Sequence, residues 1–264
     1  MTAAAQKTKD SPPRNAWFGF GFAALLFGTL LFLLSQQTLW ATFLRWLFPE
    51  QRTVMFERAT LFALTLQHLV IVGVSVAIIL AIGLPLGVWL TRRSGRAFLP
   101  LASNLLSVGQ TFPPIAVLAL ALPFFGFGLQ PTLIALVAYG LLPVTRNTIA
   151  GLEAVPATLK EAASGMGMGP WTMLRKLELP LATRVILAGV RISVVYTIGT
   201  ATVAPIIGAG GLGVPIIAGL AVRNLALVLE GALPVALLAL VVDFALSRLE
   251  VALTPRGLVE PKES

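Results

Sequence analysis

GLEAVPATLKEAASGMGMGPWTMLRKLELP, running from Gly151 to Pro180, is the longest polar break in a sequence that otherwise reads as apolar helices. Glu153, Lys160, Glu161, Arg175, Lys176 and Glu178 all fall inside it. An island this long and this rich in helix formers is a folded element rather than a tight turn. Thr158 offers an N-cap, with Glu161 three residues on as its capping-box partner. Lys160-Glu161-Ala162-Ala163 propagates as helix. Gly165, Gly167, Gly169 and Pro170 break it, and Trp171 to Leu179 forms a second short helix ended by Pro180. The reading is a helix–turn–helix at a membrane surface, with small residues where another protein could approach.

The rest of the chain supplies the membrane. Apolar residues make up 57% of the 264 positions and charged residues only 11%, and the mean hydropathy is +0.89. A soluble domain carries about twice that charge density. No separate soluble domain fits beside the apolar runs. There is no cysteine, so disulfide and thiol chemistry are both excluded. The net charge of +8 sits singly or in pairs at the ends of apolar runs, a pattern of topology determinants and not of nucleic-acid binding.

Outward from the polar island, six spans are expected. The first is Trp17 to Leu34, behind a polar, disordered tail over residues 1–15. Residues 35–58 mix Arg45, Glu50, Arg52, Glu57 and Arg58 with Trp40, Trp46 and Phe48, and read as an amphipathic external segment at the interface, whether crossing the membrane or lying on it. A span within Leu66 to Leu90 carries Gly83-x-x-x-Gly87 and Pro85, which favour close helix contact and a bend. The uncharged stretch from Ala97 to Thr145 is long enough for two spans, divided at Phe124–Pro131: one from Ala97 to Pro123, the next from Thr132 to Thr148. The first of these carries Asn104, Ser107, Gln110, Thr111 and Pro113-Pro114, so it must face a cavity or other helices. Val185 to Ile207 and Leu225 to Leu246 complete the six, with a Gly-rich, bent segment at 208–222 that is a candidate for re-entry. With both termini inside, Arg45, Arg52, Arg58 and Arg223 lie outside and the other 15 of the 19 Lys and Arg lie inside, as the positive-inside rule requires.

Glu161-Ala162-Ala163, followed by Gly167 and by Leu177-x-Leu179-Pro180, resembles the EAA loop of the membrane subunits of bacterial ABC importers; Leu177 stands where the family usually has Ile. Gly109-Gln110-Thr111-Phe112-Pro113, Leu142 to Thr148 and Gly208-Ala209-Gly210-Gly211-Leu212-Gly213 resemble the branch that imports glycine betaine, choline and related osmoprotectants. The likeness covers roughly Leu66 to Glu250. It implies an all-α fold of the type I importer (MetI-like) permease class, six spans around a five-helix core. The permease core would occupy 59–250, with a coupling loop at 151–182, the first span and external segment at 16–58, and a cytoplasmic tail at 251–264. It implies a bacterial inner-membrane location and two such chains, identical or paralogous, facing each other. Two ATPase subunits, which bind the ATP and Mg, would dock inside at Glu161, Ala162, Ala163, Gly165, Gly167, Leu177, Leu179 and Pro180, and a substrate-binding protein would dock outside.

Other features carry less. Gly208-x-Gly210-x-x-Gly213 matches a dinucleotide fingerprint only formally, since a membrane span precedes it where the fingerprint needs a strand. Gly208, Gly210, Gly211 and Gly213 read instead as an external gate or hinge. His68 is the lone histidine, with no carboxylates near it for a metal. Glu230 and Asp243 fall near the ends of the last span, where they can reach water; Arg146, Arg191 and Arg248 are candidate partners of Asp243. No catalytic set and no phosphate-cradling Lys motif is present, so this chain is not expected to be an enzyme or to bind a cofactor itself. Asn104, Gln110, Thr111, Tyr139, Tyr196 and Thr200 are the candidates for lining a translocation path. Rival readings are a permease for another solute, such as methionine or a sulfonate, and an ion-driven secondary transporter. The second would need an inverted repeat and acids near midplane, and neither is found in the sequence.

Overall fold

Apolar residues on all sides of a long helix leave it no soluble face, and four such helices organise this chain. The computed structural model describes residues 14–254; the side chains of residues 14–18, 20 and 110 fall outside the description. The described residues form α1 (Arg14–Ser35), α2 (Gln37–Leu47), α3 (Leu61–Leu90), α4 (Leu99–Thr111), α5 (Pro114–Phe125), α6 (Leu129–Glu153), α7 (Ala157–Gly165), α8 (Pro170–Met173), α9 (Leu179–Thr200), α10 (Gly213–Val222) and α11 (Leu225–Leu253), with no strand among them. Four stretches are long and apolar enough to span a membrane: Leu61–Leu90, Leu129–Glu153, Pro170–Ile207 and Leu225–Leu253. Two bent pairs raise this to six if each counts as one span. One is α1 with α2, at 77°, and the other is α4 with α5, at 96°.

The core is built where α3, α6, α9 and α11 meet. Leu64, Ile71 and Val72 of α3 pack with Leu136, Val194, Ile198 and Leu238, and Leu30 and Leu34 of α1 close the far side. Helices without polar cores approach each other through small residues. A Cβ on Gly87 would lie 2.6 Å from the Thr148 Cβ of α6, and one on Gly189 would lie 2.7 Å from the Pro143 carbonyl oxygen, so backbone lies against neighbour at both crossings. The expected contact through Gly83 and Gly87 is therefore made with α6.

Several expected boundaries move. The span expected over Ala97 to Pro123 is two helices at a near right angle, because Pro113 takes an extended conformation (φ −58°, ψ 141°) and Pro114 restarts the helix. The α6 span runs beyond Thr148 to Glu153, and α11 runs beyond Leu246 to Leu253. Pro180 does not end a helix. Residues Leu174–Glu178 form a π turn that joins α8 to α9, so one stretch continues from Pro170 to Ile207. The wide turn makes room for a ring that would otherwise strike the carbonyl four residues back. Of the expected tails, 1–13 and 255–264 lie outside the described residues; Arg14, Asn15 and Val251 to Leu253 are helical.

Candidate functional site

The polar island folds as α7, a glycine turn and the head of the long α8–α9 stretch. Pro156 holds the N-cap (φ −55°, ψ 134°), with no side-chain cap bond. Thr158 therefore sits one residue inside the helix and not at its cap. The ring of Pro156 fixes φ, and its carbonyl accepts from Leu159 N at 3.2 Å and Lys160 N at 3.3 Å, so no hydroxyl is required to start the turn. The far end is a Schellman turn. Met168 N–H donates to Ala163 O at 3.0 Å and Gly167 N–H donates to Ser164 O at 2.9 Å. Gly167 occupies the left-handed position at φ +80°. A Cβ there would meet nothing within 4 Å, so the backbone angle is what demands glycine.

Only one face of α7 is anchored. Ala163 is buried, while Glu161, Ala162, Gly165 and Gly167 are exposed. Glu161 makes no ion pair among the described residues. Leu159, Met166 and Trp171 add exposed apolar surface to the same end. Leu177, Leu179 and Pro180 are half-buried at the head of α9. Leu174, beside them, is packed with Leu152, Ala182 and Ile186.

The group that ties this element to the spans is Glu178, which the sequence showed only as one charge among six. Its side chain is 5% exposed and forms an ion pair with Arg92 Nη2, just past the end of α3, at 2.6 Å. Lys160 Nζ of α7 lies 3.6 Å from the other carboxylate oxygen and donates to Leu152 O of α6 at 3.0 Å. One carboxylate thus joins α3, α7 and the π turn, while Lys160 adds α6. A buried acid held by two cations is costly to unpair from either side. The one available sequence signal was its position between Leu177 and Leu179, where a solvated acid has no reason to be.

The path candidates separate. Tyr139 of α6 is buried and stacks on Tyr196 of α9, with ring centroids 6.2 Å apart and planes at 21°. Tyr196 and Thr200 line a cavity of about 730 Å³ on α9, together with Arg191 and Asp243. Asn104 and Thr111 lie exposed on α4 and do not line it, and the Thr111 hydroxyl turns back to Val108 O at 2.7 Å. The side chain of Gln110 lies outside the described residues.

The glycine loop is packed against α3. Gly208, Gly210 and Gly211 have positive φ, and Gly211 N–H donates to Gln67 Oε1 at 3.2 Å. A Cβ on Gly211 would lie 3.2 Å from His68 Nδ1, and one on Gly213 would collide with the Thr202 carbonyl. His68 is fully buried, with Nε2 3.0 Å from Ile198 O: a packed histidine. The acids of α11 differ from expectation. Glu230 does not reach water; it is fully buried, and its carboxylate accepts from Phe56 N–H at 2.8 Å. Asp243 lies within the span, because α11 continues to Leu253, and of the three candidates it pairs with Arg191.

Residues 83–256 match the family described as binding-protein-dependent transport system inner membrane component. The chain is 45% identical over 199 residues to a carnitine transport permease protein of Listeria monocytogenes, spanning 75% of this chain and 90% of that one. It is 41% identical over 201 residues to an osmoprotectant import permease protein of Salmonella typhimurium, with 74% and 93% covered. It is 40% identical over 197 residues to a glycine betaine/carnitine/choline transport system permease protein of Bacillus subtilis, with 75% and 90% covered. Among solved structures, it resembles a chain of the inward-facing MetNI methionine ABC transporter at 25% identity and a TM-score of 0.64, over 72% of this chain and 94% of that one.

Proposed function

The chain belongs to the binding-protein-dependent transport system inner membrane components, and from that premise we propose that it is the membrane-spanning subunit of an ATP-driven importer of osmoprotectants such as glycine betaine, choline and carnitine. Two copies, or this chain and a paralogue, enclose the path in the bacterial inner membrane. Both termini and α7 face the cytoplasm. Two ATPase subunits, which hold the ATP and Mg, receive the exposed Glu161–Gly167 face, and a substrate-binding protein delivers solute outside. The chain itself performs no hydrolysis.

One observation carries this reading: the Arg92–Glu178–Lys160 network, with ion-pair distances of 2.6 and 3.6 Å, fastens an otherwise exposed helix to the ends of the spans. A displacement imposed on α7 reaches α3 directly through Arg92 and α9 through the π turn. The relatives' identities of 40–45% to permeases named for carnitine, glycine betaine and choline support the solute class over methionine, where the structural likeness is at 25% identity. The test is Gly167→Trp in the chain co-expressed with its ATPase and binding protein. A bulky side chain at the exposed turn should block ATPase co-purification and ATP-driven glycine betaine uptake while the chain still inserts in the membrane. Survival of both activities removes the coupling role, and failure of the unmodified complex to take up any quaternary ammonium removes the solute class.

A further inference from the structure

The 730 Å³ cavity on α9 holds the two unlike charges of one ion pair beside an exposed aromatic ring. Arg191 donates to Asp243 twice, Nε to Oδ1 at 2.5 Å and Nη2 to Oδ2 at 2.7 Å, joining α9 to α11. The two side chains remain 36% and 35% exposed. Both helices are membrane spans. An ion pair half open to lipid is unfavourable, and such groups face a bundle interior or a water-filled cavity. Tyr196 lies on the same cavity wall, 48% exposed and backed by the stacked ring of Tyr139. Five residues of helix separate Arg191 from Tyr196, an axial rise of about 7.5 Å. The volume is of the size that small-molecule sites use.

We propose that this cavity is a transient site for a zwitterionic quaternary ammonium solute, with its carboxylate on Arg191 and its trimethylammonium group against the face of Tyr196 beside Asp243. The inference rests on the osmoprotectant reading and gives it a location in the membrane subunit. A quaternary ammonium cannot donate hydrogen bonds, so an aromatic face and a carboxylate are what can hold it. Asp243 occupies the guanidinium, and the pair carries no net charge. An arriving carboxylate must share those donors, so binding is shallow. A route needs sites favourable enough to enter and weak enough to leave.

The chain has no cysteine, so Ile192→Cys places a single thiol on the cavity wall. In the complete transporter, a charged, water-soluble thiol reagent should modify it, and millimolar glycine betaine but not sucrose should slow the reaction. No modification from water, as when a second copy of this chain or lipid covers the cavity, overturns the proposal, and so does modification indifferent to glycine betaine. Tyr196→Ala should lower glycine betaine uptake at saturating binding protein by about tenfold, with Tyr196→Phe near the unmodified rate. Equal uptake by Tyr196→Ala, or loss of uptake in Tyr196→Phe as deep as in Tyr196→Ala, also overturns it. If the unmodified complex imports no quaternary ammonium, the broader reading has failed instead, and that result is separable from these.

Discussion

The two ends of the bundle are held by different chemistry. At the end that carries α7, the ties are mainly ion pairs between long side chains, with one bond from Lys160 to the Leu152 carbonyl beside them: Arg92–Glu178 at 2.6 Å, Lys160–Glu178 at 3.6 Å, Arg184–Glu250 at 3.7 Å and Arg96–Glu153 at 4.0 Å. At the end that carries the glycine loop, no ion pair is found among the described residues. The ties are there made between a side chain and backbone: Asn224 Nδ2 to Thr53 O at 2.7 Å, Phe56 N–H to Glu230 at 2.8 Å, and Gly211 N–H to Gln67 at 3.2 Å. Long charged side chains can keep a partner through small displacements. Bonds to backbone fix two segments in one register. The α7 end can therefore stay connected through small displacements, and the glycine end is held in one shape.

Substitutions should separate these two designs. The largest effect is expected at the glycine end, from Gly213→Val. Its new side chain meets the Thr202 backbone, which cannot withdraw as a side-chain tip could, at a cost of about 3 kcal/mol or more. The purified chain should aggregate on solubilisation, and a monodisperse, thermally unchanged variant would undo the idea of a fixed end. Next comes Glu178→Gln, which leaves Arg92 without its carboxylate, at about 3 kcal/mol. Here ATPase binding should persist while ATP-driven uptake falls and the melting temperature drops; retained uptake would show that the network is not the link. Asn224→Ala removes the cap on Ala226 N and Leu227 N along with the bond to Thr53, at about 1–2 kcal/mol. Limited proteolysis should then cut residues 48–60 faster, with α7 protection unaltered. The smallest effect, below about 0.5 kcal/mol, is expected for Arg184→Gln, whose 3.7 Å pair leaves the arginine 60% exposed. A melting temperature shifted as far as that of Glu178→Gln would mean that the exposed pairs matter as much as the buried one.

The spacing of Glu161-Ala162-Ala163 and Gly167 was enough to locate the loop, because a helix of small residues closed by an obligatory left-handed glycine leaves a local signature. Long apolar runs likewise marked α3, α6 and α11. Sequence and structure part where tertiary packing overrides local preference. Pro180 reads as a stop in one dimension, yet a π turn five residues long carries the helix past it. Thr158 reads as a cap, yet Pro156 starts the helix two residues earlier. The partners of Glu178 and Glu230 are not legible in the sequence: the leucines flanking Glu178 hint at burial, but nothing local reveals that Arg92, some 86 positions earlier, or the Phe56 amide will arrive to meet these acids.

The continuity of Pro170 to Ile207 has a geometrical result. Its 38 residues make a rod of roughly 57 Å at a helical rise per residue, with the exposed Trp171 at one tip and the glycine loop just past the other. A rod longer than the hydrocarbon layer has little room to slide along its axis but can lean. Leaning by about 10° around one tip sweeps the opposite tip sideways by roughly 10 Å, several times the width of a single water. Gearing of that kind turns a modest tilt at one surface of the membrane into a much larger sideways shift at the other, carrying the glycine loop with its shape kept.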